Sequence, residues 1–95
     1  MDKEGYLYVV SNPTHKGWVK IGSTENIENR LHVYQTGDPH RNYKVEYYIK
    51  HPDFRNAEKN IKEVMKYFAS EIKNEWYKID LEFAKSRLDE QLLEE

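Results

Sequence analysis

Four side chains within the first 34 residues of this sequence could do acid–base or phosphate chemistry if folding brought them together. They are the phenol of Tyr8, the ammonium of Lys20, and the guanidinium and phenol of Arg30 and Tyr34. A carboxylate, Glu58, follows further on. Tyr8 lies in the run Tyr6-Leu7-Tyr8-Val9-Val10 and Lys20 in the run Trp18-Val19-Lys20-Ile21-Gly22. Both runs are aromatic and β-branched, hence strand-like. Between them Ser11-Asn12-Pro13-Thr14-His15-Lys16-Gly17 is a turn by its chemistry, so the two form a hairpin. If Ser11 pairs with Gly17, Tyr8 falls opposite Lys20. A phenol with a pKa near ~10 is a poor base at neutral pH, and a neighbouring ammonium favours its phenolate. Arg30 and Tyr34 stand four residues apart and share one helix face.

Each residue also has an ordinary structural use. Tyr8 can be an aromatic packed in a sheet, Lys20 a solvated strand lysine and Arg30 a helix-surface charge paired with an acid such as Glu25. Tyr34 shares a stripe with Ile27 and Leu31 and can belong to the core. Glu58 is the exception. It sits between Ala57 and Ile61 at the edge of an apolar helix face, where an unpaired carboxylate is costly.

The 95 residues allow one domain, 1–95, and not two. The net charge of -2 and pI near 6.1 do not advertise a phosphate binder. Contact with nucleic acid would need a local basic patch, built from Lys20, Arg30 and lysines such as Lys16 and Lys59. The absence of cysteine excludes disulfides, thiolate zinc sites and cysteine nucleophiles, and suits a reducing cytoplasm. No apolar run is long enough for a signal peptide or a membrane span, so the expected location is cytoplasmic.

The elements that must position these groups can be read in order. After the hairpin, Ser23, Thr24 and Asn26 offer N-caps for a helix carrying Ile27, Leu31 and Tyr34, with Gly37 as its end and Asp38-Pro39 continuing the break. Residues 43–49 alternate Val45, Tyr47 and Ile49 against Lys44, Glu46 and Tyr48, which predicts a half-buried strand. Pro52-Asp53 opens a second helix with Phe54, Ala57, Ile61, Val64 or Met65, and Phe68 on its apolar face. Residues 75–79 form a short extended piece, with Trp76 and Tyr77 read as core. Asp80 caps a last helix with Leu81, Ala84, Leu88 and Leu92. The expected fold class is α+β, a small antiparallel three-stranded sheet flanked by helices in the order β-β-α-β-α-α.

This order, and the motifs within it, resemble the GIY-YIG nucleases over residues 6–80, and most of all the short domains of phages and bacteria. The elements that carry the resemblance are Tyr6-Leu7-Tyr8, Val19-Lys20-Ile21-Gly22, Arg30, Thr36-Gly37-Asp38-Pro39, Ala57-Glu58-Lys59 and Glu75-Trp76-Tyr77. No one of them is specific; their sequence and spacing are. Two family positions differ, since Tyr6 replaces the first glycine and Lys20 replaces the second-motif tyrosine, as in some restriction-enzyme members. Lys62 stands where many members have a histidine.

The resemblance implies a divalent-metal-dependent endonuclease acting on DNA. Glu58 would hold a single Mg²⁺ or Mn²⁺, and Arg30 would brace the phosphate oxygens. Tyr8 or Tyr34 would orient or deprotonate the water, with Lys20 lowering the pKa of Tyr8. It adds His40, after the Thr-Gly-Asp-Pro turn, as a catalytic candidate, and Asn74 as a supporting one. His15 and His51 are expected in solvent and His32 away from Arg30, and no His pair has metal-ligand spacing. Further partners would be a second copy of the chain or a separate targeting protein. The alternative is a catalytically weak nucleic-acid-binding or interaction module that keeps the same fold.

Overall fold

The computed structural model describes residues 4–37 and 42–93. Its strands are β1 (Gly5–Ser11), β2 (Trp18–Thr24), β3 (Lys44–His51), β4 (Glu71–Lys73) and β5 (Trp76–Lys78). Its helices are α1 (Ile27–Gly37), α2 (Phe54–Phe68) and α3 (Leu81–Leu93), with one 3-10 turn at Pro13–His15. The pairings are antiparallel and form one sheet in the order β3-β1-β2-β5-β4.

The fold is therefore α+β with five strands, not the expected three. The additional pair is a small hairpin in which Lys73 faces Trp76 across the two residues Asn74 and Glu75. Asn74 takes φ 56°, a left-handed conformation that asparagine tolerates. β4 is three residues long and exposed throughout, so its single apolar residue, Ile72, is too short a signal to mark a strand.

The sheet's two faces follow the period of two. Leu7, Val9, Val19, Ile21, Ile49 and Tyr77 face one core together with Ala57, Ile61 and Met65 of α2 and Ala84 and Leu88 of α3. Tyr8, Val10, Lys20, Gly22 and Trp76 share the opposite face, because Tyr8 pairs with Gly22, Val10 with Lys20, and Lys20 with Trp76. Trp76 is thus half-buried on the far side of the sheet from the core. The β1–β3 register shifts between Val9 and Val10, where the partner steps from Tyr47 to Val45. That irregularity moves Val45 to the Tyr8 face, whereas strict alternation would have kept it with Tyr47 and Ile49.

Local sequence sets the helix starts. Asn26 Oδ1 accepts the backbone N–H of Asn29 at 2.9 Å, and Asp80 Oδ2 that of Phe83 at 3.1 Å. Two apolar stripes stop short of their expected ends, since Phe68 of α2 and Leu92 of α3 are exposed. His51, expected in solvent, is buried instead. Its Nδ1 accepts the Asp53 N–H at 3.0 Å, which leaves Nε2 to donate to the Gln91 carbonyl at 3.2 Å. One imidazole thereby ties the end of β3 to the start of α2 and the last turns of α3.

Candidate active site

Tyr8 is 3 % exposed and its ring leans across β2 at Gly22. A Cβ at Gly22 would lie 2.4 Å from Tyr8 Oη and 2.7 Å from Cζ, so only glycine permits this approach. The second-motif glycine therefore has a local steric reason. Tyr8 Oη lies 2.7 Å from Tyr34 Oη of α1, and the two rings meet edge to face with centroids 6.2 Å apart. The phenols of hairpin and helix converge as the sequence predicts.

The register does not. Tyr8 was expected opposite Lys20, but Lys20 pairs with Val10, two residues along. The connection is longer than assumed, because Pro13–His15 coil into a 3-10 turn and β2 begins only at Trp18, which leaves residues 12–17 between the strands. Lys20 Nζ lies over the Tyr34 ring, 5.0 Å from its centroid. The cation that acts on the Tyr8 phenol is Arg30. Lys20 is therefore not the residue that would draw the Tyr8 pKa down.

Burial pushes the Tyr8 phenol well above its ordinary pKa, and the hydrogen bond to Tyr34 raises it further, against the pull of Arg30. The Glu58 carboxylate also pushes it up. Tyr34 is raised too, chiefly by burial, although the Tyr8 hydroxyl and Arg30 both favour its phenolate. Either hydroxyl of the pair can donate to the other. In this state both are protonated at neutral pH and can orient an oxygen ligand by hydrogen bonding.

Glu58 reaches the same region from the core face. β5 borders β2 only along Trp18, Val19 and Lys20. Beyond that point Ser23 of β2 donates its Oγ hydrogen to Glu58 Oε1. Lys62, one helical turn after Glu58, places Nζ 2.7 Å from Oε2. Lys62 Nζ is also 3.5 Å from Glu75 Oε2, and Glu75 Oε1 is 3.9 Å from Lys20 Nζ. A charge chain Glu58–Lys62–Glu75–Lys20 therefore bounds the site. Burial by itself would lower the Lys62 pKa, but the Glu58 hydrogen bond and the two carboxylate charges outweigh it and the pKa rises.

Tyr8 and Tyr34 therefore touch, Arg30 and Glu58 act on Tyr8 through their charge, and Lys20 lies over the Tyr34 ring. Arg30 is exposed. His40 lies outside the described residues. Asn74 serves the β4–β5 turn. Sequence reasoning missed Ser23, Glu75 and Tyr43, the last stacked on Tyr34 with centroids 5.1 Å apart. It also missed what Lys62 does. The Glu58–Lys62 spacing of four was a readable signal; Glu75 and Tyr43 come close only through tertiary pairing.

The model of the T5orf172 domain family matches residues 5–91, from the first residue of β1 into α3. The chain belongs to the T5orf172 domain family. No curated protein and no solved structure matches it. The matched span of the T5orf172 domain takes in every site residue named here. None of its helices, among the described residues, is long and apolar enough to cross a membrane.

The donor set can be tested against a divalent ion. The Glu58 side chain is 22 % exposed and offers carboxylate oxygens next to the Ser23 hydroxyl. Hard oxygen donors open to water suit Mg²⁺ or Mn²⁺, which keep several of their waters. Among the described residues no three His, Cys, Asp or Glu cluster together, so the fit is to a one-carboxylate site and not to an all-protein cage. Lys62 holds Oε2 in this state and would have to yield to a metal.

Proposed function

We propose that this chain is a metal-dependent endonuclease of the GIY-YIG type that hydrolyses DNA phosphodiester bonds. The observation that carries the reading is the Tyr8 phenol. It is hydrogen-bonded to Tyr34 and lies within electrostatic reach of both Arg30 and Glu58. Three separate elements supply an oriented hydroxyl pair, a cation and a carboxylate to one place.

In this reading the Arg30 guanidinium holds non-bridging phosphate oxygens with its planar donor fork. The Tyr8–Tyr34 pair aligns the attacking water; once Tyr34 has given its own proton to solvent, its phenolate, held by a hydrogen bond from Tyr8, takes the proton of the water. Glu58 is the metal ligand. A bound Mg²⁺ or Mn²⁺ would supply charge neutralisation at the phosphate. Lys62, released from Glu58, stays close enough to a phosphate-bearing site to partner Glu75.

Supercoiled plasmid nicking tests this directly. The wild type should convert supercoiled to open-circular DNA only when Mg²⁺ or Mn²⁺ is present, and Glu58→Gln should abolish conversion while DNA binding persists. A Glu58→Gln protein that nicks like wild type would sink the reading. The Lys62–Glu58 ion pair favours a second reading, a nucleic-acid-binding module whose carboxylate is permanently held. That reading gains if wild-type protein binds DNA yet leaves the plasmid intact across divalent metals.

A further inference from the structure

The sheet face that carries Tyr8 does not end at the catalytic candidates. Tyr34 stacks on Tyr43, tilted by 22°. Tyr43 leans on Trp76 with centroids 6.1 Å apart, and Trp76 meets the His15 ring at 5.1 Å. Beyond Trp76 an open cavity of about 360 Å³ is bordered by Trp18, Trp76, His15, Lys73 and Asn74. That volume falls within the ~300–1,000 Å³ usual for small-ligand pockets.

The composition of this track is specific. Trp18, Tyr43 and Trp76 are half-buried, so each ring is held by its neighbours and keeps part of its surface in solvent. Cross-strand pairing puts Trp18 with Lys78, Lys20 with Trp76, and Trp76 with Lys73. Lysines therefore stand beside indoles across β2, β5 and β4, with Lys78 ion-paired to Glu71, Lys20 to Glu75, and Lys73 exposed at the edge. An apolar protein partner would not call for this arrangement. Aromatic faces beside ammonium groups match a strand of unpaired bases, whose rings stack while the phosphates meet the lysines. Asn74, at the rim, adds amide donor and acceptor groups suited to a base edge.

We infer that the outer sheet face from Tyr43 to the Trp18–Trp76 cavity binds single-stranded DNA next to the candidate active site. The preferred substrate is then DNA with an unpaired segment flanking the scissile phosphate, not a continuous duplex. This inference rests on the nuclease reading for the identity of its neighbour, but the binding itself is measured separately.

Trp18 and Trp76 are the chain's two tryptophans, so emission excited at the red edge, where its eight tyrosines do not absorb, reports on this face alone. The wild-type protein is titrated in EDTA with a dT oligonucleotide of 12 bases and with a hairpin duplex of the same phosphate count. Cleavage plays no part in this assay. The single strand should quench tryptophan emission saturably and bind at least about 10-fold tighter than the duplex. Trp18→Ala should weaken single-strand binding by about 5- to 150-fold, the range for one stacked base. Trp18→Phe should keep most of that affinity.

Lys73→Glu, on an exposed side chain of the rim, should weaken single-strand binding several-fold and flatten its salt dependence. It keeps the test decisive if Trp18→Ala fails to fold. Absence of quenching, equal affinity for both DNAs, or a Lys73→Glu protein that binds like wild type would overturn the inference. Loss of plasmid nicking with quenching intact would instead count against the nuclease reading.

Discussion

Replacing Tyr8 by Phe removes one oxygen and keeps the ring that fills the space over Gly22. At pH 7 the variant loses the 2.7 Å hydrogen bond to Tyr34 and should be less stable by about 1 kcal/mol. The pH dependence of that difference is the sharper test. Tyr8 is buried and its phenol is raised above its ordinary value, so the folded protein holds the proton that the unfolded chain gives up near pH ~10. Stability from this group is complete below pH ~10, and it declines from there toward the still higher pKa of the folded state. The unfolded chain gains RT ln(1 + 10^(pH − pKa)), which is negligible at pH 9 and about 1.4 kcal/mol at pH 11. Phenylalanine has no such loss. The gap between wild type and Tyr8→Phe should therefore shrink by about 1.4 kcal/mol between pH 9 and 11 and come close to zero or invert. Contributions from the other tyrosines and the lysines are largely common to both proteins and cancel. Urea unfolding followed by circular dichroism at pH 7, 9 and 11 measures it. A stability gap that stays constant across this range would refute the assignment of Tyr8 as a buried, protonated phenol.

Gly22→Ala should cost about 1–3 kcal/mol in thermal or urea unfolding, because strands pair on both sides of Tyr8 and leave its ring little room to retreat. Adding Tyr8→Phe should not rescue it, since the ring carbon Cζ alone would be 2.7 Å from the new Cβ. Arg30→Ala, on an exposed side chain, should change stability by less than about 0.5 kcal/mol. It should nevertheless impair both DNA binding and nicking, and reduce the slope of log K against log salt by about 0.9, one phosphate; an unchanged slope would remove Arg30 from the phosphate. The nicking rate should rise with pH from 7 to 10 without a plateau, because burial holds both phenols above their ordinary range. A plateau below pH 9 would mean that a cation has drawn one of them down, as first expected of Lys20.

Much of the site was legible because its members are placed by short-range rules. Tyr8 lies on a strand set by β-branched neighbours, and Arg30 and Tyr34 share a helix face by their spacing of four. Glu58 stands out because a carboxylate at the border of an apolar stripe needs a partner, and Ser23 and Lys62 are those partners. Lys62 was readable as an i,i+4 neighbour, yet the sequence offered no reason to see it as the group that occupies the carboxylate. The exposed β4 strand escaped notice because three residues with one apolar member, Ile72, are too few to show a period.

By itself the sequence determined the helices and the central strands, since periodicity, capping and turn chemistry act over a few residues. The tertiary structure alone decided which cation serves which phenol. A two-residue shift in hairpin register moved Lys20 from Tyr8 to Val10, and the energies that choose between such registers belong to side chains far apart in the chain. It also decided that β5 stops at Lys20, which leaves Ser23 free to meet Glu58, and that Glu75 links Lys20 to Lys62. The aromatic track from Tyr34 to His15 is of the same kind, because its rings come from four separate segments that only tertiary packing sets side by side.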